Sequence, residues 1–397
     1  MRFWNRLIGF LLIAAVFSVP FVGMSQPTDL GGYKPPQEKI KLPFQWGKKP
    51  ENVILMIGDG MPLTTISAAR LRAVGSTGWL HVDRMPIAGF VRTCSADKLI
   101  TDSAAAATAM AAGQKTDNGV IGQTPDGKSW ESILEAFQKR EIGCGLVVLS
   151  PISHATPGPF YAHTASRKDQ PVIAEQLVNK ALKINVLLGG GAAFFQPQSV
   201  QGSKRTDERD LIAEARRKGY EFVDNSETML RSNARYLLGL FAPEGMTTKP
   251  PEPTLAEMTG KALQLLASEK KGFFLLVEGS QIDGANSRND MEDAIRQTLN
   301  FDLAVQQVLD FATGNGRTLV VVTSDHENGG MAIVDGSLDG SDLQVAWAKK
   351  GHTGGTVPLY AFGPGAEKFS GFQENTDIPK AFASLMDIRD FPAALNP

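Results

Sequence analysis

The chain has 397 residues, with 40 Lys+Arg against 42 Asp+Glu and a formal net charge of −2. At 42% hydrophobic and 21% charged residues, with only 2 Cys, it is neither a disordered chain nor a disulfide scaffold. The near-neutral balance also excludes a general basic surface for nucleic acid or membranes.

Residues 1–26 stand apart. A short basic start, MRFWNR, is followed by the apolar run LIGFLLIAAVFSVPFVGM and a small-residue region, SQ. This is the pattern of a secretory signal peptide. A membrane anchor is the other reading, and Pro20 within the run argues against it. The expectation is a secreted or periplasmic protein with no membrane contact once the signal is removed. Residues 27–45 are rich in Pro and Lys and read as an extended arm. Residues 46–397 show no internal repeat and no linker, so a single domain is expected.

Within that domain short apolar runs alternate with helical patterns. Strands are expected at 52–60, 143–150, 184–191, 272–280, 317–326 and 357–365. Helices are expected at 128–141, 170–181, 206–218, 254–270 and 289–312. Near-continuous apolar strands between helices imply an α/β fold: a mostly parallel central sheet covered by helices on both faces, a three-layer sandwich.

The stretch TDSAAAATAMAAG (101–113) adds a further helix. Ala is the best helix former, so Ala104 to Ala112 should be helical. Thr101, Asp102 and Ser103 then fall at the cap and first turn, where N–H groups and the dipole favour an anion. Alone, this stretch fits a plain N-cap as well as a nucleophile.

In open α/β sheets ligands bind beyond the carboxyl ends of the strands. The expected strands deliver Asp59, then His154 and Thr156, then Glu278 and Asp283, then Asp325 and His326; His352 lies in the loop before 357. Each Asp alone is an ordinary turn residue. Gathered on one rim with Ser103, four carboxylates require cations. Carboxylate with imidazole suits Zn²⁺, and carboxylate with hydroxyl suits Mg²⁺. Paired metals serve phosphoryl transfer, and a serine at a helix N-terminus is then a candidate nucleophile.

The segments MIGDGM, TDSAAAATA, SHATPGPFYAHTASR, VEGSQID, TSDHENGG and HTGGTVPLYAFGPGAEKFSGFQENTDIP span most of the chain in one order. Together they resemble the alkaline phosphatase family. The resemblance implies a metal-dependent phosphomonoesterase acting on small phosphate monoesters through a phosphoserine on Ser103. It implies that Asp59, Asp325 and His326 hold the zinc that activates Ser103. Asp283 and His352 would hold a second zinc, and Asp59, Thr156 and Glu278 a magnesium. Arg167 resembles the phosphate-clamping arginine and Asp102 the neighbour that orients it. His154 reads as a ligand to a bound water or phosphate oxygen, or as structural. Relatives are often homodimers, but the arm reads equally well as a tether.

One position departs from the pattern. The family usually has a His four residues after Asp283, and here that residue is Ser287. Asn286, Ser287, a water or Asp290 would have to substitute, and oxygen donors there weaken zinc and favour harder metals. Gly284 places no cation beside the phosphate, and residues 331–350 form only a short insertion. A phosphodiesterase or specialised phosphatase on the same scaffold, and an inactive phosphate- or metal-binding homologue, are the competing readings. His81, His163, Trp130, Phe194 and Phe195 read as packing residues, 213–221 as a solvated helix end, and pairing of Cys94 with Cys144 stays open.

Overall fold

The apolar run at residue 52 forms β1 (Asn52–Gly58), and all seven of its residues are buried. A computed structural model of the chain describes residues 32–38, 40–180 and 183–395. The signal segment 1–26 and residues 27–31 of the arm lie outside the described residues. After β1 come β2 (Ile87–Arg92), β3 (Gly143–Pro151), β4 (Val186–Gly190), β5 (Glu221–Val223) and β6 (Leu237–Leu240). Next are β7 (Phe273–Gly279), β8 (Thr318–Ser324), β9 (Glu327–Asn328), β10 (Met331–Asp335), β11 (Gln344–Trp347) and β12 (His352–Thr353). The chain ends with β13 (Val357–Phe362) and β14 (Gly371–Glu374).

Ten of these strands form one sheet in the order β14-β2-β13-β8-β1-β7-β3-β4-β6-β5. Pairing is parallel except at β13, which runs antiparallel to both β8 and β2. The mostly parallel sheet expected from the sequence is therefore the one observed. β10 pairs with β11, and β12 with β9, as two small antiparallel pairs.

The helices are α1 (Leu63–Val74), α2 (Ser103–Ala112), α3 (Ile133–Lys139), α4 (Gln170–Asn179) and α5 (Leu211–Arg217). They continue with α6 (Ser226–Arg231), α7 (Leu255–Leu266), α8 (Gln281–Arg288), α9 (Met291–Asn315) and α10 (Asp377–Leu385). Several start later than the apolar pattern suggests, because capping sets the boundary. Ser132 and Glu135 form a reciprocal capping box, so α3 begins at Ile133 rather than near 128. Asp210 caps α5 by accepting from Ala213 N. Strands β2, β5, β6, β9, β10, β11, β12 and β14 and helices α1, α6, α8 and α10 lie outside the ranges the sequence pattern predicts.

Strand periodicity divides the core into two layers. Val53, Leu55 and Ile57 face one side, where they join Met110 of α2, Phe137 of α3 and Phe382 of α10. Ile54 and Met56 face the other, with Ile66 of α1, Met258 of α7 and Val305 of α9. This is the three-layer arrangement.

The described part of the arm docks on the domain. Tyr33 donates its hydroxyl to the buried Asp302 at 2.6 Å, and His81 Nε2 lies 2.9 Å from Lys34 O. Phe44 packs edge-on to Phe362 with ring centroids 5.0 Å apart. Phe194 and Phe195 are buried, Cys94 is exposed, Cys144 is buried, and both cysteines are free thiols.

His163 is held by Gly122 O and Glu135, and Lys180 completes that ion cluster. Burial alone would raise the Glu135 carboxyl, but His163 and Lys180 outweigh it and hold it at about 2. A carboxyl depressed in the folded state stabilises the fold above its unfolded value and loses that contribution as pH falls toward the folded value. Glu135→Gln should therefore lower stability by up to about 3 kcal/mol at pH 7. In urea melts the gap to the parent should shrink as pH falls from about 4.5 toward 2. A gap that does not change with pH would contradict this assignment.

Candidate active site

Ser103 opens α2. Asp102 caps the helix, its Oδ1 accepting from Ala105 N at 3.0 Å. Gly113, in the left-handed region at φ 67°, ends it. All ten residues of α2 are buried, and their small side chains let the helix lie under the strand ends. The Ser103 hydroxyl thus sits at a buried helix N-terminus, where an anion is favoured. Ser103 Oγ lies 3.2 Å from His326 Nε2.

The carboxyl ends of β1, β3, β7 and β8 surround this point. Asp59 follows β1 directly, Glu278 is the next-to-last residue of β7, and Asp325 and His326 follow β8. His326 Nε2 is 3.4 Å from Asp59 Oδ1 and 3.2 Å from Asp325 Oδ2. Asp325 Oδ1 accepts the backbone N–H of Gly60 and of His326, which fixes its other oxygen toward the cluster. Gly60 has φ 59°, and a Cβ there would stand 2.9 Å from Asp283 Oδ1; the turn after β1 has room for no side chain.

Asp283 lies in the first turn of α8, and His352 lies on β12, brought in by the β12–β9 pairing opposite Asn328. Their side chains meet at 3.2 Å, His352 Nε2 to Asp283 Oδ1. The His352 ring stacks on His326 with centroids 3.6 Å apart, and its Nδ1 bonds Thr101 O at 2.9 Å. Burial alone would raise the Asp283 carboxyl, but the two imidazoles and Asn328 hold it at about 2.

Arg167 Nη1 donates to Asp102 Oδ2 at 2.9 Å, and its Nη2 is 3.4 Å from His154 Nε2. Burial, then the Arg167 charge, lowers His154 to about 4. It is neutral at pH 7 and accepts from the guanidinium. Two of the arginine's five donors are thereby committed, and the fork is held in one orientation.

Three groups of donor atoms emerge, each within 4.8 Å: Asp59 with Asp325 and His326, Asp283 with His326 and His352, and Asp59 with His154 and Glu278. Thr156, fully buried, follows β3. In these groups and at Thr156, the atoms Asp59 Oδ1, Asp325 Oδ2, Glu278 Oε1, Thr156 Oγ1, His154 Nδ1 and His326 Nδ1 are buried without a hydrogen-bond partner. Burial, then Asp325, Asp283 and Glu278, pushes the Asp59 carboxyl well above its usual range, and burial raises Glu278 to about 7. Converging acceptors with no donor are costly unless cations lie between them. The donor set therefore fits divalent metal ions.

All eleven candidate residues read from the sequence meet here. The supporting layer was missed. Asn328 Nδ2 reaches Asp283 Oδ1 at 2.6 Å and Ser287 Oγ at 2.8 Å. Asn118 accepts from Asp102 N at 3.0 Å, and Ser150 donates to Glu278 at 3.1 Å. Of the substitutes for the usual His, Asn286 is committed to Gly60 O and Thr65, and Asp290 caps α9. Ser287 is the one linked to Asp283, through Asn328.

A doubly wound sheet whose strand ends carry this carboxylate–imidazole cluster around a serine fits an α/β metal-dependent enzyme. Comparison with known proteins narrows the class. The profile of the family described as Alkaline phosphatase matches residues 50–343 and 337–388. Alkaline phosphatase 3 of Bacillus subtilis (strain 168) is 34% identical over 83% of this chain and 87% of its own length. The structure of alkaline phosphatase from the Antarctic bacterium TAB5 superposes with a TM-score of 0.77 at 31% identity, covering 86% of this chain and 98% of the other. A His-to-Glu mutant of that enzyme, described with Mg bound in the M3 site, matches with the same TM-score and identity over 86% of this chain and 99% of its own. The chain belongs to the alkaline phosphatase family, whose members are metal-dependent phosphoric monoester hydrolases.

Proposed function

We propose that the chain is an exported phosphomonoesterase that turns over small phosphate monoesters through a phosphoserine on Ser103. The observation that carries this is Ser103 Oγ at a buried helix N-terminus, 3.2 Å from His326 Nε2, with the Arg167 fork pinned beside it by Asp102 and His154. Export rests on the residue 1–26 pattern alone; no helix among the described residues is long and apolar enough to cross a membrane.

Asp59, Asp325 and His326 would hold Zn²⁺, and Asp283 and His352 a second metal. Asp59, Thr156 and Glu278 would hold Mg²⁺, a choice supported by their oxygen donors. When bound, such cations supply positive charge to the phosphoryl oxygens and favour the alkoxide form of a serine. Ser103 Oγ forms its bond to phosphorus as the ester P–O bond breaks, and the alcohol leaves with a proton drawn from the serine by way of solvent. Water then attacks phosphorus, the Ser103 Oγ–phosphorus bond breaks, one proton of that water returns to Ser103 Oγ by way of solvent, and inorganic phosphate leaves. Arg167 orients two phosphoryl oxygens with its remaining donors, and the α2 N-terminus favours the same negative charge.

The test is hydrolysis of a chromogenic phosphate monoester and its diester counterpart. Metal-stripped protein would be refilled with Zn²⁺, Mg²⁺, Ca²⁺ or Mn²⁺. The expected result is monoester turnover restored by Zn²⁺ with Mg²⁺, and much weaker diester turnover. Restoration by no metal, or preference for the diester, would sink the proposal.

Ser287 sets the second metal. With one carboxylate and one imidazole of its own, since His326 is shared, the Asp283/His352 position should hold zinc weakly. Ser287→His should raise the zinc retained per chain after dialysis by about one equivalent. Metal analysis that finds equal zinc in parent and variant would contradict this assignment.

A further inference from the structure

We infer that Leu99 and Ile100 form an apolar wall against which the leaving group of the substrate lies, so that the enzyme favours phosphate esters of aryl or alkyl alcohols over those of small polar ones. The inference rests on the phosphatase reading above and names the substrate class of that site.

Leu99 is 79% exposed and Ile100 37% exposed, immediately before the Thr101–Asp102–Ser103 turn. Single exposed leucines are ordinary. These two differ in how they are held and where. Ile100 O accepts from Asn118 Nδ2 at 3.0 Å, and Asn118 Oδ1 accepts from Asp102 N at 3.0 Å. Thr101 O accepts from His352 Nδ1 at 2.9 Å. On the near side, Ala96 N donates to Thr116 O and Ser95 N to Lys98 O. The strap 95–102 is thus tied to the nucleophile's cap at one point and to His352 at another. Its apolar side chains are presented by a fixed backbone, which lowers the ordering cost of binding.

A Cβ on Gly354, two residues beyond His352, would lie 3.7 Å from Leu99 Cγ and 3.9 Å from Ile100 Cγ1. The bare backbone at 354 leaves that volume to whatever approaches Leu99. An in-line displacement sends the ester oxygen away from Ser103 Oγ. On this inference it leaves across the rim beside Ser103 on which His352, bonded to Thr101 O, and Gly354, next to Leu99 and Ile100, are neighbours. A ring or alkyl chain there covers apolar surface that otherwise faces water.

The test compares kcat/KM for phenyl phosphate and for glycerol phosphate in the metal-loaded parent, in Leu99→Asn and in Leu338→Asn, the last a change at an equally exposed leucine (81%) in the β10–β11 hairpin. The phenyl-to-glycerol ratio should fall about three- to tenfold in Leu99→Asn. It should not move in Leu338→Asn, and inhibition by inorganic phosphate should stay within about twofold of the parent. Sedimentation of parent and Leu99→Asn accompanies the kinetics. An unmoved ratio overturns the inference, and so does a parallel loss for both esters. Loss of a dimer in Leu99→Asn with an unmoved ratio would assign the patch to contact between copies and overturn it too. Turnover of neither ester by the parent would overturn the phosphatase reading and this one with it; turnover of both with an unmoved ratio overturns this one alone.

Discussion

Replacing Ser103 with alanine should reduce phosphate monoester turnover by about 10⁴-fold or more, because the neighbouring hydroxyl at this turn, that of Thr101, is buried and donates to Asp102 O. The fold should hardly notice. Asp102 makes the cap, not Ser103, and alanine already fills the positions that follow. The lost contact is a single 3.2 Å approach to His326 Nε2. Kinetics and thermal melting of Ser103→Ala beside the parent check both halves. Near-parental turnover would remove the serine from the mechanism, and a collapsed melting temperature would make the loss uninformative about chemistry. Conservative replacement by Cys separates the two, since it keeps a nucleophile and nearly the same volume.

Metal removal should have the second large effect, and it should reach stability as well as rate. Dialysis against a chelator should lower activity by about 10³-fold or more and destabilise the fold by about 3–5 kcal/mol. The reason is the set of buried, partnerless acceptors around Asp59, Asp325 and Glu278. Without cations these carboxyls face one another in a dry site, and folding must crowd like charges there or drive Asp59 and Glu278 toward the protonated form. The same logic gives the opposite sign for Asp59→Asn. In stripped protein it removes one of those carboxyls and should recover part of the lost stability, while the refilled variant stays inactive. Melting curves of parent and variant, stripped and refilled, form the check. If stripping leaves the parent's melting unchanged, the cluster is not held together by metal.

The sequence was most legible where chemistry and backbone pattern coincide. Runs such as NVILMIG and TLVVVTS have apolar centres because both faces of those strands are covered, and each is followed directly by an acidic residue that the fold carries to one rim. The alanine helix places Ser103 at a helix N-terminus, but its role is legible only together with the acidic strand ends and the family resemblance. What escaped has one cause in common, dependence on partners remote in sequence. β2, IAGFVR, is mixed in character because it lies near the sheet edge, with alternate residues exposed. α1 carries polar residues on its outer face and only four buried ones, so its pattern is faint. The arm looked merely Pro- and Lys-rich, yet Tyr33 finds Asp302 more than 250 positions away. Asn328 and Asn118 are amides, a residue type found in any turn. Their roles show only once Asp283 and Asp102 are beside them. Ser287 was visible as a departure, but its link to Asp283 through Asn328 was not.

The central claim is that Ser103 carries the phosphoryl group during turnover. The most direct measurement is to mix metal-loaded protein with a phosphate monoester, quench rapidly in acid, and map the phosphorylated peptide by mass spectrometry. The account predicts phosphate on the peptide containing TDSAAAATAM, at Ser103, and none in Ser103→Ala. Full turnover with that peptide unmodified, or phosphate found at another residue, would contradict it.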